Sequence, residues 1–332
     1  MLPQISIAPV STQLDVSYHL VFFITGNPGL VHYYDTFLST LHNRLSDNAE
    51  RSSDVFHIYG QNLAGFADEA DDAHSEGRLF TLDEQIQILL EAIKTRRIPE
   101  GPRASQNYDS VILIGHSVGT YIILEILSHL RTSTSISPNI KASILLFPTV
   151  THLAKSPSGL KFSNLFRIPE FPRRAAVLAK LFLWPFPRSA LKWVVGLVAR
   201  MPNDSAEVTT AFLTSRMGIH QALHLAKYEI EQITEDKWDE DIWGVEHTDD
   251  AAKSQIPKLI FYFGENDHWV ANHTRDELIA ARGQDFSQGS KPLMLIDQDG
   301  VDHGFCIRHS ESIAEKVHIW IEDIIEGASD SK

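Results

Sequence analysis

Two periodicities alternate along this chain. Short runs rich in β-branched and aromatic residues predict strands at Tyr18 to Thr25, Val55 to Tyr59, Ser110 to Ile114, Ala142 to Phe147, Lys258 to Phe263 and Pro292 to Ile296. Several are apolar at successive positions instead of every second one, as expected of strands covered by helices on both faces. Between them the period lengthens: from Leu82 to Thr95, Ile86, Leu89, Leu90 and Ile93 share one helical face. The same spacing predicts helices over Val118 to Leu130, Thr274 to Ala281 and Ser310 to Ile325. Strands alternating with helices imply an α/β fold with a mostly parallel central sheet and helices on both faces. No internal repeat is present, and the last residues, Gly327 to Lys332, are expected to fray.

The rhythm breaks once. About 110 residues separate Phe147 from Lys258, far more than a strand-to-helix connection needs. The length fits a single α/β domain over 1–332 carrying a helical lid or cap insertion at 151–255. From Thr151 to Pro202 there are nine basic residues and one acid, Glu170; the later part, Glu229 to Asp250, is acidic. Within the basic part, Ala175 to Ala199 is strongly apolar. Lys180, Arg188 and Lys192 interrupt it, and Pro185 and Pro187 break it into two short helices, which argues against a bilayer-spanning helix. A monotopic hairpin over about 173–200 fits better, with Phe182, Trp184, Pro185, Phe186 and Trp193 in the acyl boundary and the cations at the headgroups. The alternative is an ordinary cap buried over an apolar pocket.

Composition narrows the partners. The 332 residues carry a formal net charge of −14, the wrong sign for a nucleic-acid partner, which needs a basic surface. A hydrophobic fraction of 43% supports a sizeable core. The single cysteine, Cys306, excludes an internal disulfide framework and suits a reducing compartment. The start, Met1 to Ile7, lacks the basic and long apolar regions of a signal peptide. No metal or nucleotide motif appears, so no cofactor is expected.

The sharpest chemical signal is Gly115-His116-Ser117-Val118-Gly119. This G-x-S-x-G pattern directly follows an apolar strand and directly precedes an amphipathic helix, the setting of a nucleophile elbow. Such a turn forces the serine into a strained backbone conformation at a helix N-terminus, whose free N–H groups and positive dipole end favour an oxyanion. A serine needs a base held by an acid, in chain order Ser, Asp or Glu, His. His303 lies between the last strand and the last helix and is the expected base; His309 reads as a surface or capping residue. Asp267 follows the Lys258 to Phe263 strand and is preferred as the acid, with Glu265, two residues earlier, as the competitor. Oxyanion donors are expected at the N–H of Val118 and, since Pro28 has none, at Asn27 in the Gly26-Asn27-Pro28-Gly29 turn. Ordinary turn chemistry explains that turn equally well.

Together these residues resemble the lipid droplet-associated hydrolases, a branch of the α/β-hydrolase superfamily. The resemblance rests on Phe22 to Leu30 (FFITGNPGL), Ile114 to Tyr121 (IGHSVGTY), Leu145 to Thr149, Ser156 to Gly159, Phe261 to Gly264 and Asp302 to Phe305, anchors spanning nearly the whole chain. It implies an α/β-hydrolase fold, a nucleophile at Ser117, an acid at Asp267 and a base at His303. It also implies a place on lipid droplets and the cytosolic face of the endoplasmic reticulum, with a neutral-lipid ester such as a sterol ester or acylglycerol as substrate. The chain departs from the family's frequent Asp-Pro-Trp with Asp267-His268-Trp269, and from Pro-His-Ala with Asp302-His303-Gly304; Asp302 could compete for the proton of the base. An acyl thioesterase uses the same constellation, and a weakly active droplet scaffold on the same fold is a third reading.

Overall fold

Neighbouring residues of the central strands face opposite sides of one sheet, and both sides are apolar. The computed structural model describes residues 2–10, 15–47, 53–66, 77–132, 137–244, 257–283 and 292–329. Its strands are β1 (Gln4–Ile7), β2 (Ser17–Ile24), β3 (Asp54–Gln61), β4 (Ser110–His116), β5 (Ile140–Leu146), β6 (Lys258–Phe263) and β7 (Leu293–Ile296). They form a seven-stranded sheet in the order β1-β3-β2-β4-β5-β6-β7. Every neighbouring pair is parallel except β1 with β3. Helices α1 (Asp35–Asp47) and α10 (Ser310–Ser329) cover one face, α2 (Leu82–Thr95) and α3 (Val118–Thr132) cover the other, and α9 (Asn272–Arg282) links β6 to β7. In β2, Tyr18, Leu20, Phe22 and Ile24 pack towards α2 and α3, whereas Val21 and Phe23 pack towards α1 and α10. Each such side chain, fully buried, contributes roughly 1.5–3 kcal/mol, which is why these strands show no polar alternation.

Two elements escape the sequence reading. β1 has only four residues, half-buried in alternation, too short to register as a period. α1 buries Phe37, Leu38, Leu41 and Leu45, but the polar residues between them mask the stripe. The fraying expected from Gly327 is not what the backbone shows to Ser329, which is helical; 330–332 lie outside the described residues.

Between β5 and β6 come α4 (Pro157–Phe166), α5 (Phe171–Leu183), α6 (Arg188–Val198), α7 (Asn203–Thr214) and α8 (Gly218–Gln232). The break between α5 and α6 falls at Pro185 and Pro187, where the missing N–H groups predict it. This insertion is tied to the carboxyl edge of the sheet. Ser158 N–H donates to His268 O (2.9 Å), and Tyr33 Oη shares a hydrogen bond with Thr209 Oγ1 (2.8 Å). Part of its acidic stretch, 245–250, lies outside the described residues. No helix among the described residues is long and apolar enough to cross a membrane.

Candidate active site

The carboxyl ends of β2, β4, β6 and β7 meet under the insertion. β4 runs on through Gly115 and His116, two residues past the predicted end, and delivers Ser117 with φ of +53°. That left-handed conformation is unfavourable for a residue with a Cβ, and here it turns the chain directly into α3. The turn survives because Gly119 lets α3 approach β2: a Cβ there would lie 2.5 Å from the Ile24 carbonyl oxygen. On the other side, a Cβ on Gly26 would stand 3.1 Å from that of Ser117, so the Gly26–Gly29 turn abuts the serine.

Three side chains distant in sequence converge at this point. Ser117 Oγ lies 2.9 Å from His303 Nε2, and His303 Nδ1 lies 2.6 Å from Asp267 Oδ2. All three residues are buried. Because a carboxylate only accepts, His303 carries its proton on Nδ1, leaving Nε2 to accept from the Ser117 hydroxyl. Asp267 Oδ1 accepts the Trp269 N–H at 2.7 Å. Burial pushes the Asp267 carboxyl up, but His303 and the Trp269 N–H outweigh it and hold the carboxyl below its ordinary range. Glu265 is exposed; its carbonyl accepts from Arg275 at 2.7 Å. Asp302 is exposed as well, and His309 is half-buried ahead of α10. The loop carrying His303 is anchored by Asp297, which accepts the Val301 N–H at 2.7 Å and bonds the Tyr262 hydroxyl.

Val118 and Asn27 both lie beside Ser117 in the chain or across the turn. Neither backbone N–H has a hydrogen-bond partner among the described residues. The Asn27 side chain is engaged: its Nδ2 donates to Ala222 O (2.9 Å) and to Glu229 Oε1 (2.8 Å) on α8.

A second network lay beyond sequence reasoning. Gly26 N–H donates to Tyr34 Oη (3.2 Å), Tyr34 Oη–H donates to His116 Nδ1 (2.7 Å), and His116 Nε2–H donates to the His303 carbonyl (2.8 Å). The carbonyl fixes the tautomer, since it can only accept. His116 thus joins the turn, the elbow and the base loop. Burial, with the neighbouring His303 charge, pushes its imidazole down from 6.5 to about 3. Between those values the unfolded chain binds a proton that the native state refuses, so stability falls as pH drops through this window. Urea midpoints measured from pH 6.5 to 4 should decline less steeply in His116→Gln than in the unsubstituted protein.

Residue type alone does not make such a site. His19 lies 2.7 Å from Ser110 Oγ and 2.9 Å from Asp54 Oδ1. That set sits at the amino edge of the sheet, with Ser110 inside a regular strand and no helix N-terminus beside it. Among the described residues no group of His, Cys, Asp or Glu is arranged to hold a metal ion.

Aromatic side chains of α5, α6 and the turn between them face solvent. Trp184 is 85% exposed, Phe182 72% and Trp193 68%, and Pro185 and Phe186 are exposed as well. Leu178, Leu181, Leu197 and Val198 are exposed around them.

Comparison with known proteins agrees with this architecture. Residues 17–306 match the family model described as lipid-droplet associated hydrolase. The mouse lipid droplet-associated hydrolase is 24% identical over 316 residues, covering 92% of this chain and 85% of its own. A peroxisomal α/β-hydrolase from Saccharomyces cerevisiae superimposes with a TM-score of 0.61 at 13% identity, covering 97% of this chain and 82% of its own. An ancestral haloalkane dehalogenase superimposes with a TM-score of 0.56 at 10% identity, covering 97% of this chain and 96% of its own. The sheet is that of the α/β-hydrolases, and the chain belongs to the lipid-droplet associated hydrolase family.

Proposed function

We propose that this hydrolase cleaves carboxylic esters of neutral lipids, of sterol-ester or acylglycerol type, through Ser117 as nucleophile. The observation that carries the reading is the relay from Ser117 Oγ to His303 Nε2 (2.9 Å) and from His303 Nδ1 to Asp267 (2.6 Å), on a serine held at positive φ. His303 takes the hydroxyl proton as Ser117 Oγ attacks the ester carbonyl. The resulting oxyanion accepts hydrogen bonds from the N–H groups of Val118 and Asn27. Collapse of the tetrahedral intermediate breaks the C–O bond, and His303 returns the proton to the departing alcohol. Water, deprotonated by the same imidazole, then releases the acid from the acyl-enzyme. Asp267, ionised at neutral pH, orients the imidazole and stabilises its charged form.

The lipid part of the proposal rests on the insertion, read as a cap over residues 151–255. Its exposed aromatic and aliphatic side chains on α5 and α6 are flanked by the exposed cations Arg173, Arg174, Arg188 and Arg200. Apolar groups rimmed by cations suit monotopic docking on a droplet or endoplasmic reticulum surface from the cytosolic side, with cations at anionic headgroups. The family's name points to the droplet. A thioester would engage the same relay, and a scaffold would use the docking face without turnover.

A fluorophosphonate probe decides the enzymatic part. Covalent labelling at Ser117, mapped by peptide mass spectrometry and lost in His303→Ala, is the expected result. A folded protein that stays unlabelled would favour the scaffold.

A further inference from the structure

Glu229 is a buried carboxylate that the relay does not use. It lies on α8, 6% exposed, with no basic partner among the described residues. A carboxylate desolvated without a cation is costly, and burial pushes this carboxyl up to about 7 although the hydrogen bond from Asn27 opposes the rise. The side chain that meets it is Asn27, at 2.8 Å. The other Nδ2 proton of Asn27 goes to Ala222 O, about two turns earlier on the same helix, at 2.9 Å. Both amide protons of this turn residue are therefore held by a helix that enters the chain some two hundred residues later, while its buried Oδ1 has no partner among the described residues. The neighbouring Tyr33 is held in the same way by Thr209 of α7.

We infer that Glu229 is a positioning residue for ester hydrolysis: by gripping the Asn27 side chain it sets the direction of the Asn27 backbone N–H, making α8 part of the oxyanion-binding apparatus. This inference rests on the proposed esterase reading. The geometry behind it is simple. Asn27 precedes Pro28, which donates nothing, and no acceptor among the described residues engages the Asn27 N–H. Its orientation depends on what fixes the peptide plane, and the side chain one bond away is clamped at two points. A hydrogen-bond donor aimed at an oxyanion is worth far more than one aimed at the ground-state carbonyl. Loss of the clamp therefore lowers kcat and leaves substrate binding largely intact.

The test uses the full-length protein and a water-soluble p-nitrophenyl ester. Glu229→Leu removes the acceptor and the buried charge together; it should lower kcat about 10- to 100-fold, less than deletion of a donor itself, with KM within about threefold. Glu229→Gln keeps an acceptor oxygen at the same place and should recover at least half of that loss on a logarithmic scale. Asn27→Ala removes the other end of the clamp. It should be impaired like Glu229→Leu, and the double variant should be no worse than either single, since the two act as one unit. Should Glu229→Leu fail to fold, Glu229→Gln and Asn27→Ala with their double variant carry the same comparison. Full activity in Asn27→Ala, an effect confined to KM, or additive losses in the double variant would each overturn the inference. Failure of the underlying reading looks different: the unsubstituted protein and Ser117→Ala would then hydrolyse the ester equally.

Discussion

Ser117→Ala and His303→Ala should each lower kcat on p-nitrophenyl esters by about 10⁴- to 10⁶-fold, to nearly the same residual rate. The expectation follows from the relay. With the hydroxyl gone no acyl-enzyme forms, and with the imidazole gone the hydroxyl, 2.9 Å from its acceptor in the intact protein, keeps its proton at neutral pH. Groups that act as one unit are not additive, so the double variant should be no slower than either single. Asp267→Asn should retain more activity than either. It keeps the shape of the site but loses the acceptor that holds the Nδ1 proton of His303, and a misplaced tautomer costs about 10⁴-fold in a comparable relay. Whatever rate survives measures the Val118 and Asn27 donors and substrate binding. Equal rates in the unsubstituted protein and all four variants, with and without a lipid emulsion, would end the esterase reading for these substrates.

Replacing Phe182, Trp184 and Trp193 together by Ser should weaken binding to phospholipid-coated triacylglycerol droplets by about a thousandfold or more. Burying one large apolar side chain contributes roughly 1.5–3 kcal/mol, so three exceed about 4 kcal/mol even when some of that is lost to incomplete insertion. All three are exposed, so the substitution empties no core and the protein should fold. Flotation of the droplets through a density gradient separates bound from free protein. Binding that persists within tenfold would place the docking face elsewhere. Hydrolysis of a soluble ester should fall far less than binding, because these side chains do not touch the relay.

The site and the fold were legible to different depths. The strand-to-helix placement around Ser117 was readable because local rules dictate it: an apolar run, a turn with small residues, an amphipathic run. Doubly apolar strands announced a sheet covered on both sides. The choice between Asp267 and Glu265 was not local, because both occupy one loop. It is the packing of Trp269 and His303 around Asp267 that distinguishes them. Tyr34, His116 and Glu229 could not be found by pattern at all. Their partners lie 82, 187 and 202 residues away in the chain, and nothing in a run of sequence marks which distant residue will accept a proton. His116 was visible only as the variable position of the elbow, where its chemistry had no evident purpose. Phe162 stacks on Trp269 at 5.6 Å, and that contact ties α4 to the acid loop in a way that two separate aromatic residues do not suggest.

The position of the insertion has an electrical consequence. Residues 151–202 carry a net +8 in a chain of −14, so the remainder carries −22. The basic residues are gathered on and around α4, α5 and α6, while the later part of the same insertion is acidic, so the charge is unevenly distributed and carries a dipole. Near an anionic lipid surface that dipole experiences a torque: the basic end is drawn in and the acidic body is pushed away. Orientation would then precede contact, and a greater share of collisions would arrive with α5 and α6 foremost. The advantage fades as salt shortens the screening length to about 8 Å at physiological ionic strength, so the capture rate, more than the final affinity, should carry the mark of this charge separation.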